Sequence, residues 1–429
     1  MQKVHIGLIG CGTVGTGVAK VLLEKKDWLS KTTGLELVLK RIADKNTRRR
    51  KEVNIPRTLW TNNAYELIND PAIDIVIELV GGTTIAKEFI DAALKKGKYV
   101  VTANKALLAE HGQKIMALAS ASNVEVGFEA SVGGGIPIIH AMKTGLAANK
   151  IQSIFGILNG TTNYILTKMT DEGMDYNDVL KQAQELGYAE ADPTLDVGGH
   201  DAAHKINVLS YLSTQSWVNM KDIHVEGVTE ITSQDIQYAT ELGYVIKLLA
   251  IAKFMEKGVD IRVHPTMLPK DNLLTSVNGV FNGILVTGDV VGTTMYYGRG
   301  AGMMPTASAV VSDVIQLGRK IVERGPVRIP SARAYGYVPV IPISEIVCKY
   351  YLRMSLVDRP GAIAAVSNIL GRHKISIASV IQKARKAGDA VPVVMMTHEA
   401  NEASIQRALR DIDRLSVVKG KSFLIRVES

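Results

Sequence analysis

Residues 4–23 read VHIGLIGCGTVGTGVAKVLL: an apolar run, Val4–Ile9, then a glycine turn, then a helical pattern over Val14–Leu23. In Gly10-Cys11-Gly12-Thr13-Val14-Gly15 the glycines allow a tight turn, close approach of the backbone to a pyrophosphate, and close packing of helix on strand. The helix N-terminus adds amide donors and the positive end of its dipole. A lone GxGxxG is a weak signal; its place between a strand and a helix gives it weight. The alternation continues downstream. Leu37–Ala43 reads as a second strand, and Ile73–Leu79 as a continuous apolar run of the kind buried in a parallel sheet. Phe89–Lys96 reads as a helix, Tyr99–Thr102 as a strand and Ala106–Ser120 as a helix. This order predicts an α/β fold, a doubly wound parallel sheet that binds a nucleotide, over residues 1–127.

The pattern changes over residues 128–304. Tyr176–Leu186, His200–Leu212 and Ser233–Met255 look helical, while Ile151–Leu158 and Asp260–Met267 suit strands, so an α+β domain is expected here. A further helix, Ala307–Ile321, is expected to return to the nucleotide domain, which residues 305–328 then complete. Residues 329–345 hold Pro330, Pro339 and Pro342 and read as a linker. Residues 346–429 spell a compact unit: strand Tyr350–Leu356, turn Asp358–Gly361, helix Ala362–Arg372, strands Ile375–Gln382 and Val391–Thr397, helix Ala403–Asp411 and strand Ser422–Val427. Such a βαββαβ order is ferredoxin-like.

A chain of 429 residues fits two or three domains, and 46% hydrophobic with 21% charged residues is ordinary for a globular protein. Its two cysteines, Cys11 and Cys348, have neither disulfide-framework nor metal-ligand spacing. Apolar runs such as Val245–Ala252 are too short to span a bilayer, and the start of the chain lacks a cleavage-site pattern. A soluble, cytoplasmic protein is expected. Of the net charge of +8, most lies beyond Tyr350, where thirteen Lys/Arg face seven Asp/Glu. These basic residues are scattered and aromatics make up only 5% of the chain, which favours a solvated surface over a nucleic-acid site.

Several side chains sit where chemistry is expected. Asp44, near the end of the second strand, is placed to grip ribose hydroxyls, whereas Lys45 and the cluster Arg48–Arg50 suit a 2′-phosphate; NAD and NADP both stay open. Lys105 follows the strand Tyr99–Thr102, at the sheet edge where such folds bind ligands. There it can orient a carbonyl substrate or shuttle a proton; otherwise it is a surface lysine opening a helix. The richest stretch runs from Gly187 to Lys205 and carries Glu190, Asp192 and Asp196 in a turn-rich loop. Asp201 and Lys205 follow at i and i+4 on one helix face. A surface ion pair is the plain reading, but Ile206, Val208 and Leu209 make this helix mostly buried and aim the lysine at a cleft. Carboxylates able to hold an ammonium, beside a lysine able to protonate a developing alkoxide, suit carbonyl reduction. His204, offset by one residue, is expected to pack or face solvent. Glu129–Pro137 is a glycine-rich bend able to turn carbonyls toward a hard cation, though a plain loop accounts for it equally. Asn159–Asn163 and Gly298–Gly302 read as small-residue turns lining a cleft.

Taken together the motifs resemble those of the homoserine dehydrogenases. GLIGCGTVG, TANKALL, FEASVGGGIPII, ILNGTTNYIL, GYAEADPTLDVGGHDAAHK and GRGAGMMPTASAVVSD occur in that family's order and cover most of residues 1–325. DRPGAIAAVSNIL, from Asp358, resembles an ACT domain, an amino-acid-sensing module. The resemblance implies a Rossmann-type first domain, a substrate-binding and dimerisation domain, and a C-terminal ACT domain. It implies reversible, NAD(P)-dependent reduction of L-aspartate 4-semialdehyde to L-homoserine, on the route to threonine and methionine. By position Lys205 matches the proton donor and Glu190 the substrate-binding carboxylate. Asp201, with Asp196, matches further substrate contacts, and Lys105 the lysine touching cofactor and substrate. Gly10, Gly12, Thr13, Val14, Gly15, Asp44, Lys45, Arg48, Thr83, Lys105 and Gly302 form the expected cofactor-binding set. Glu129, with the backbone oxygens of Val132, Gly134 and Ile136, matches a site for a monovalent cation, Na+ or K+. A homo-oligomer, dimer or tetramer, is the further expectation. The C-terminal unit has two readings: threonine-responsive regulation, or a dimerisation element with no ligand. A nicotinamide enzyme acting on another amino-acid carbonyl, and a non-catalytic sensor, are the competing functions; the joint presence of Lys105, Glu190, Asp201 and Lys205 speaks against a sensor.

Overall fold

The computed structural model describes residues 2–46, 55–323, 338–383 and 389–428. It separates into two compact units, one of Met1–Ile154, Ala203–Lys221 and Phe281–Val338, the other of Phe155–Ala202, Asp222–Val280 and Pro339–Ser429.

The first unit is built on a six-stranded sheet of β1 (Gln2–Ile9), β2 (Leu35–Ala43), β3 (Trp60–Thr61), β4 (Ile75–Glu78), β5 (Tyr99–Thr102) and β6 (Val126–Gly127). Its order is β3-β2-β1-β4-β5-β6, and every pairing is parallel. This is the doubly wound arrangement, in which strand order reverses between β1 and β4 and opens a crevice at their carboxyl ends. Apolar side chains without alternation suit strands covered on both faces, and Ile75, Val76 and Ile77 are all buried. Helix Thr13–Glu24 buries Gly15, Val18, Ala19 and Leu22, the spacing of one helical face. Helix Met303–Glu323 packs on this sheet: Ala307, Val310, Val314 and Leu317 join Val4, Ile6 and Leu8 in one core. An antiparallel hairpin, Phe281–Gly288 with Gly292–Arg299, also belongs to this unit.

The second unit joins helices Gly160–Glu172 and Tyr176–Glu185 to a mixed sheet. In that sheet Tyr244–Met255 pairs antiparallel along the whole of Gly258–Pro269. Phe423–Val427 then adds in parallel through Thr266 and Met267, and strands Val347–Val357, Ala390–Thr397 and Ile377–Ile381 follow, each antiparallel to its predecessor. With helices Ala362–Arg372 and Glu402–Ile412 these last four strands form the expected βαββαβ unit around its own core.

Three local readings change. Ser233–Met255 is not one helix. A capping box between Thr232 and Asp235 starts helix Ser233–Glu241, Gly243 at φ 84° ends it, and Tyr244–Met255 is a strand. The strand is buried on both faces, so its unbroken apolarity imitates a buried helix. Asn159–Asn163 is an N-cap and first helical turn rather than a loop. Gly298 and Arg299 close strand Gly292–Arg299, leaving Gly300–Gly302 as the turn into the returning helix.

Candidate active site

The glycine turn leaves β1 at the crevice. Gly10 has φ 93°, and a Cβ there would lie 2.6 Å from the Leu79 carbonyl carbon, so only glycine fits. At Gly12, by contrast, a Cβ would meet nothing within 4 Å, which leaves open space beside the helix start. That combination suits a bound pyrophosphate. Thr13 is exposed, and Val14 and Thr83 are half-buried. Asp44 follows β2, and its two oxygens accept from Cys11 N at 2.5 Å and Asn46 N at 2.7 Å. Its carboxylate therefore holds the glycine turn in place, a role the sequence did not announce. Lys45 is exposed, and Arg48–Arg50 lie outside the described residues. Gly302, at φ 126°, gives its carbonyl to Thr306 N as the returning helix begins.

Lys105 opens helix Lys105–Ala121 immediately past β5, and Asn104 caps that helix by accepting from Leu107 N at 3.1 Å. The lysine is half-buried at the carboxyl edge of the sheet.

In the second unit Asn159 organises the acidic loop. Its Oδ1 accepts from Thr162 N at 2.8 Å as the cap of helix Gly160–Glu172. Its Nδ2 donates to Asp196 Oδ1 at 2.6 Å and to Asp201 Oδ2 at 2.9 Å. Thr161 Oγ1 donates to Tyr188 O at 2.7 Å, tying the same turn to the loop that carries Glu190. One amide thus brings Asp196 and Asp201 together. An asparagine directly before a helical pattern was the available signal for this hub. Glu190 is exposed, its carbonyl accepting from Gln184 Nε2 at 3.2 Å. Asp192 takes both Thr194 N and Thr194 Oγ1, bonds that lower its pKa, and so serves the short helix Thr194–Val197. Asp201 and Lys205 lie one turn apart on helix His200–Thr214, with relative exposures of 8% and 9%. A lysine that buried is costly unless its ammonium has partners or work to do.

Glu129 is buried, and its oxygens accept from Ile139 N at 2.9 Å and His140 N at 2.7 Å, at the start of the short helix Ile138–His140. Burial raises its pKa against those two bonds. Asp313 Oδ2 accepts from Glu129 N at 2.8 Å, and burial pushes the Asp313 carboxyl up to about 7. Val132 is buried, Gly134 has φ 53°, and the carbonyl of Ile136 already accepts from Ile138 N. The donors here are hard oxygens, which suit an alkali cation. Among the described residues no three His, Cys, Asp or Glu side chains are grouped to hold a metal, and no helix is long and apolar enough to cross a membrane.

Comparison with known proteins agrees along the whole chain. Family models for the homoserine dehydrogenase NAD-binding domain, for homoserine dehydrogenase and for the ACT domain match residues 10–129, 137–315 and 350–417. A homoserine dehydrogenase of Neisseria gonorrhoeae is 43% identical over all of this chain and 99% of its own. The crystal structure of a homoserine dehydrogenase from Thiobacillus denitrificans is 42% identical, superposes with a TM-score of 0.94, and covers 100% of this chain and 98% of its own. A hyperthermophilic archaeal homoserine dehydrogenase, solved in complex with NADPH, is 29% identical with a TM-score of 0.64 over 76% of this chain and 100% of its own. With family models matching its nucleotide-binding sheet, its central region and its ACT unit in one order, the chain belongs to the homoserine dehydrogenases.

Proposed function

We propose that this enzyme interconverts L-homoserine and L-aspartate 4-semialdehyde with Lys205 as the proton donor to the carbonyl oxygen. The observation that carries the reading is the Asn159 bridge: it holds Asp196 and Asp201 together one helical turn before a buried lysine. Asp196, Asp201 and Glu190 receive the substrate ammonium. Lys205 delivers a proton as the oxygen gains charge, and Lys105 stabilises that charge from the carboxyl edge of the sheet. Bound NAD(P)H supplies the hydride. Gly10, Gly12, Thr13, Val14 and Gly15 cradle its pyrophosphate, with Thr83 and Gly302 as further contacts. The archaeal relative's NADPH complex supports the phosphate-bearing cofactor, with Lys45 and Arg48 as its holders. Asp44 is the counterpart residue for NAD.

The domain assignment follows: residues 1–127 with 305–328 bind the dinucleotide, 128–304 bind substrate and dimerise, 329–345 link, and 346–429 regulate. Glu129, with the carbonyls of Val132, Gly134 and Ile136, would hold a monovalent cation that stiffens the loop leading to helix Ile138–His140. The recess formed by Asp358, Arg359, Gly361, Ala362 and Gln382 is the place for an effector such as L-threonine. The protein is a cytoplasmic homo-oligomer in this reading.

One absorbance assay tests it: homoserine-dependent reduction of NAD+ and NADP+ side by side, with and without millimolar threonine. Reduction with either dinucleotide supports the reaction, and the ratio tells whether Asp44 or Lys45 and Arg48 govern the ribose. No reduction by folded protein that still binds a dinucleotide would overturn it.

A further inference from the structure

We infer that Glu78 is a positioning residue for the hydride-transfer end of the cofactor site: its buried carboxylate locks the turn after β4 to the turn after β5, and so fixes where Lys105 stands. The inference rests on the proposal that Lys105 lies beside the nicotinamide and the reacting carbonyl.

Glu78 is the last residue of β4 and has no exposed surface. It stands in register with Ile9 at the end of β1 on one side and with Thr102 at the end of β5 on the other. That is the point where strand order reverses and dinucleotides bind. Its carboxylate bonds reach the turn after β4 and the last residue of β5, both at the crevice. Its Oε1 accepts from Val80 N at 2.7 Å and Gly81 N at 3.3 Å, and its Oε2 accepts from Thr102 Oγ1 at 2.7 Å.

The chain of bonds continues to the lysine. Thr102 Oγ1 accepts from Asn104 N at 3.1 Å, and Asn104 Nδ2 donates to Gly82 O at 2.7 Å. Asn104 Oδ1 then caps the helix that Lys105 opens. A closed circuit results, from Glu78 through Val80–Gly82 to Asn104, and back through Thr102. Gly81 and Gly82 sit at φ 81° and 72°, a backbone with little stiffness of its own, and two successive amides converge on the carboxylate beneath them. The same turn abuts the glycine motif, since a Cβ on Gly10 would strike the Leu79–Val80 peptide. Thr83 follows directly.

A core role alone does not explain a carboxylate here. Ile75 and Ile77 show what the strand uses where only packing matters, and burying an acid costs free energy that an aliphatic residue avoids. Burial raises the Glu78 pKa, while the Thr102, Val80 and Gly81 bonds pull it back toward the ionised form those donors favour.

The test compares Glu78→Gln, Thr102→Val, Thr102→Ser and Lys105→Ala in the full-length enzyme. Glutamine keeps the volume but offers one acceptor oxygen where two are used. The expected result is a fall in kcat for homoserine oxidation of about ten- to a hundredfold in Glu78→Gln and Thr102→Val, with a raised KM for the intact dinucleotide. Affinity for the adenosine-end fragments AMP and 2′,5′-ADP, measured by titration calorimetry, stays unchanged, and Thr102→Ser restores turnover. If fragment affinity and melting temperature fall together with kcat while KM holds, Glu78 is only structural and the inference is overturned. Should Glu78→Gln not fold, Thr102→Val decides alone, and wild-type kinetics in it overturns the inference. Loss of turnover in Lys105→Ala without loss in the other two also overturns it, leaving the Lys105 proposal standing. Wild-type turnover in Lys105→Ala removes both.

Discussion

Two clusters of carboxylates in the second unit are built around different bridges. At the acidic loop proposed to bind substrate a neutral amide, Asn159 Nδ2, bonds Asp196 and Asp201. At the junction of strand Phe423–Val427 with Gly258–Pro269, a guanidinium does the bridging. Arg426, 1% exposed, makes paired bonds to Glu402 at 2.9 and 2.7 Å and to Glu226 at 2.8 and 3.0 Å. An amide satisfies carboxylate lone pairs but brings no charge of its own. A guanidinium brings both bonds and charge. Burial alone would lower the Arg426 pKa; its bonds to Glu226 and Glu402 more than reverse that. The first arrangement is suited to receiving a ligand, the second to holding the ACT unit's last strand against its neighbour.

Substitution separates the two. The largest expected effect is in Lys205→Ala, on the helix the first cluster feeds: turnover falls about 10²- to 10⁴-fold while calorimetric dinucleotide binding is unchanged. Near-normal turnover would remove Lys205 as proton donor. Next is Arg426→Met, which removes the counter-charge from buried Glu402 and leaves it only the bonds from the Tyr350 hydroxyl and the Gln406 amide; it should cost about 3–5 kcal/mol in chemical denaturation. Its turnover per folded molecule should be normal, and a specific kinetic defect instead would break the distinction drawn here. Asp201→Asn keeps the volume but removes the charge. A rise of about tenfold in KM for homoserine is expected, with KM for the dinucleotide untouched; if both move together, Asp201 is serving the fold rather than the substrate.

What the sequence disclosed depends on how local each signal is. GxGxxG after a strand, and the βαββαβ order after the linker, rest on neighbours within a few tens of residues, and both were legible. Arg426 meets Glu226 across 200 positions, and no pattern in either segment announces the pair. Glu78, like Asp74, lies within Ile73–Leu79, a run read simply as apolar, although an acid at the end of a buried strand is itself the anomaly to notice. Lys105, Asp201 and Lys205 were legible as candidates because each sits at a recognisable boundary, a strand end or the first turns of a helix. Asn159 was not, since the small residues after it resemble a loop until the cap is seen. Ser233–Met255 misled because burial on both faces erases periodicity, and only Gly243 marks the change from helix to strand.

That misread strand also carries an effect that shows only as a change in slope with pH, and it tests a third kind of bridge. Lys247 is 2% exposed, and its ammonium donates to Val277 O at 2.7 Å, Asn278 Oδ1 at 3.0 Å and Asn163 Oδ1 at 3.1 Å, all neutral acceptors. Asn163 lies one turn into the helix that Asn159 caps, so this lysine ties the start of that helix to the Val277–Asn278 segment. Burial lowers its pKa from 10.5 to about 8. Below pH 8 both folded and unfolded chains hold the proton, and folding bears the full cost of burying the charge. Between about 8 and 10.5 the unfolded chain binds a proton that the folded chain does not, so this group's contribution to stability rises with pH and is lost as pH falls through 8. Denaturation curves of the enzyme and of Lys247→Met across this range should therefore differ in slope, by up to about 1.4 kcal/mol per pH unit, with the parent gaining relative to the variant as pH rises. Parallel curves would mean that the three neutral acceptors keep the lysine charged. A buried cation would then be held by neutral acceptors and the favourable field of Asp171, and the contrast between amide and guanidinium bridges would lose its electrostatic basis.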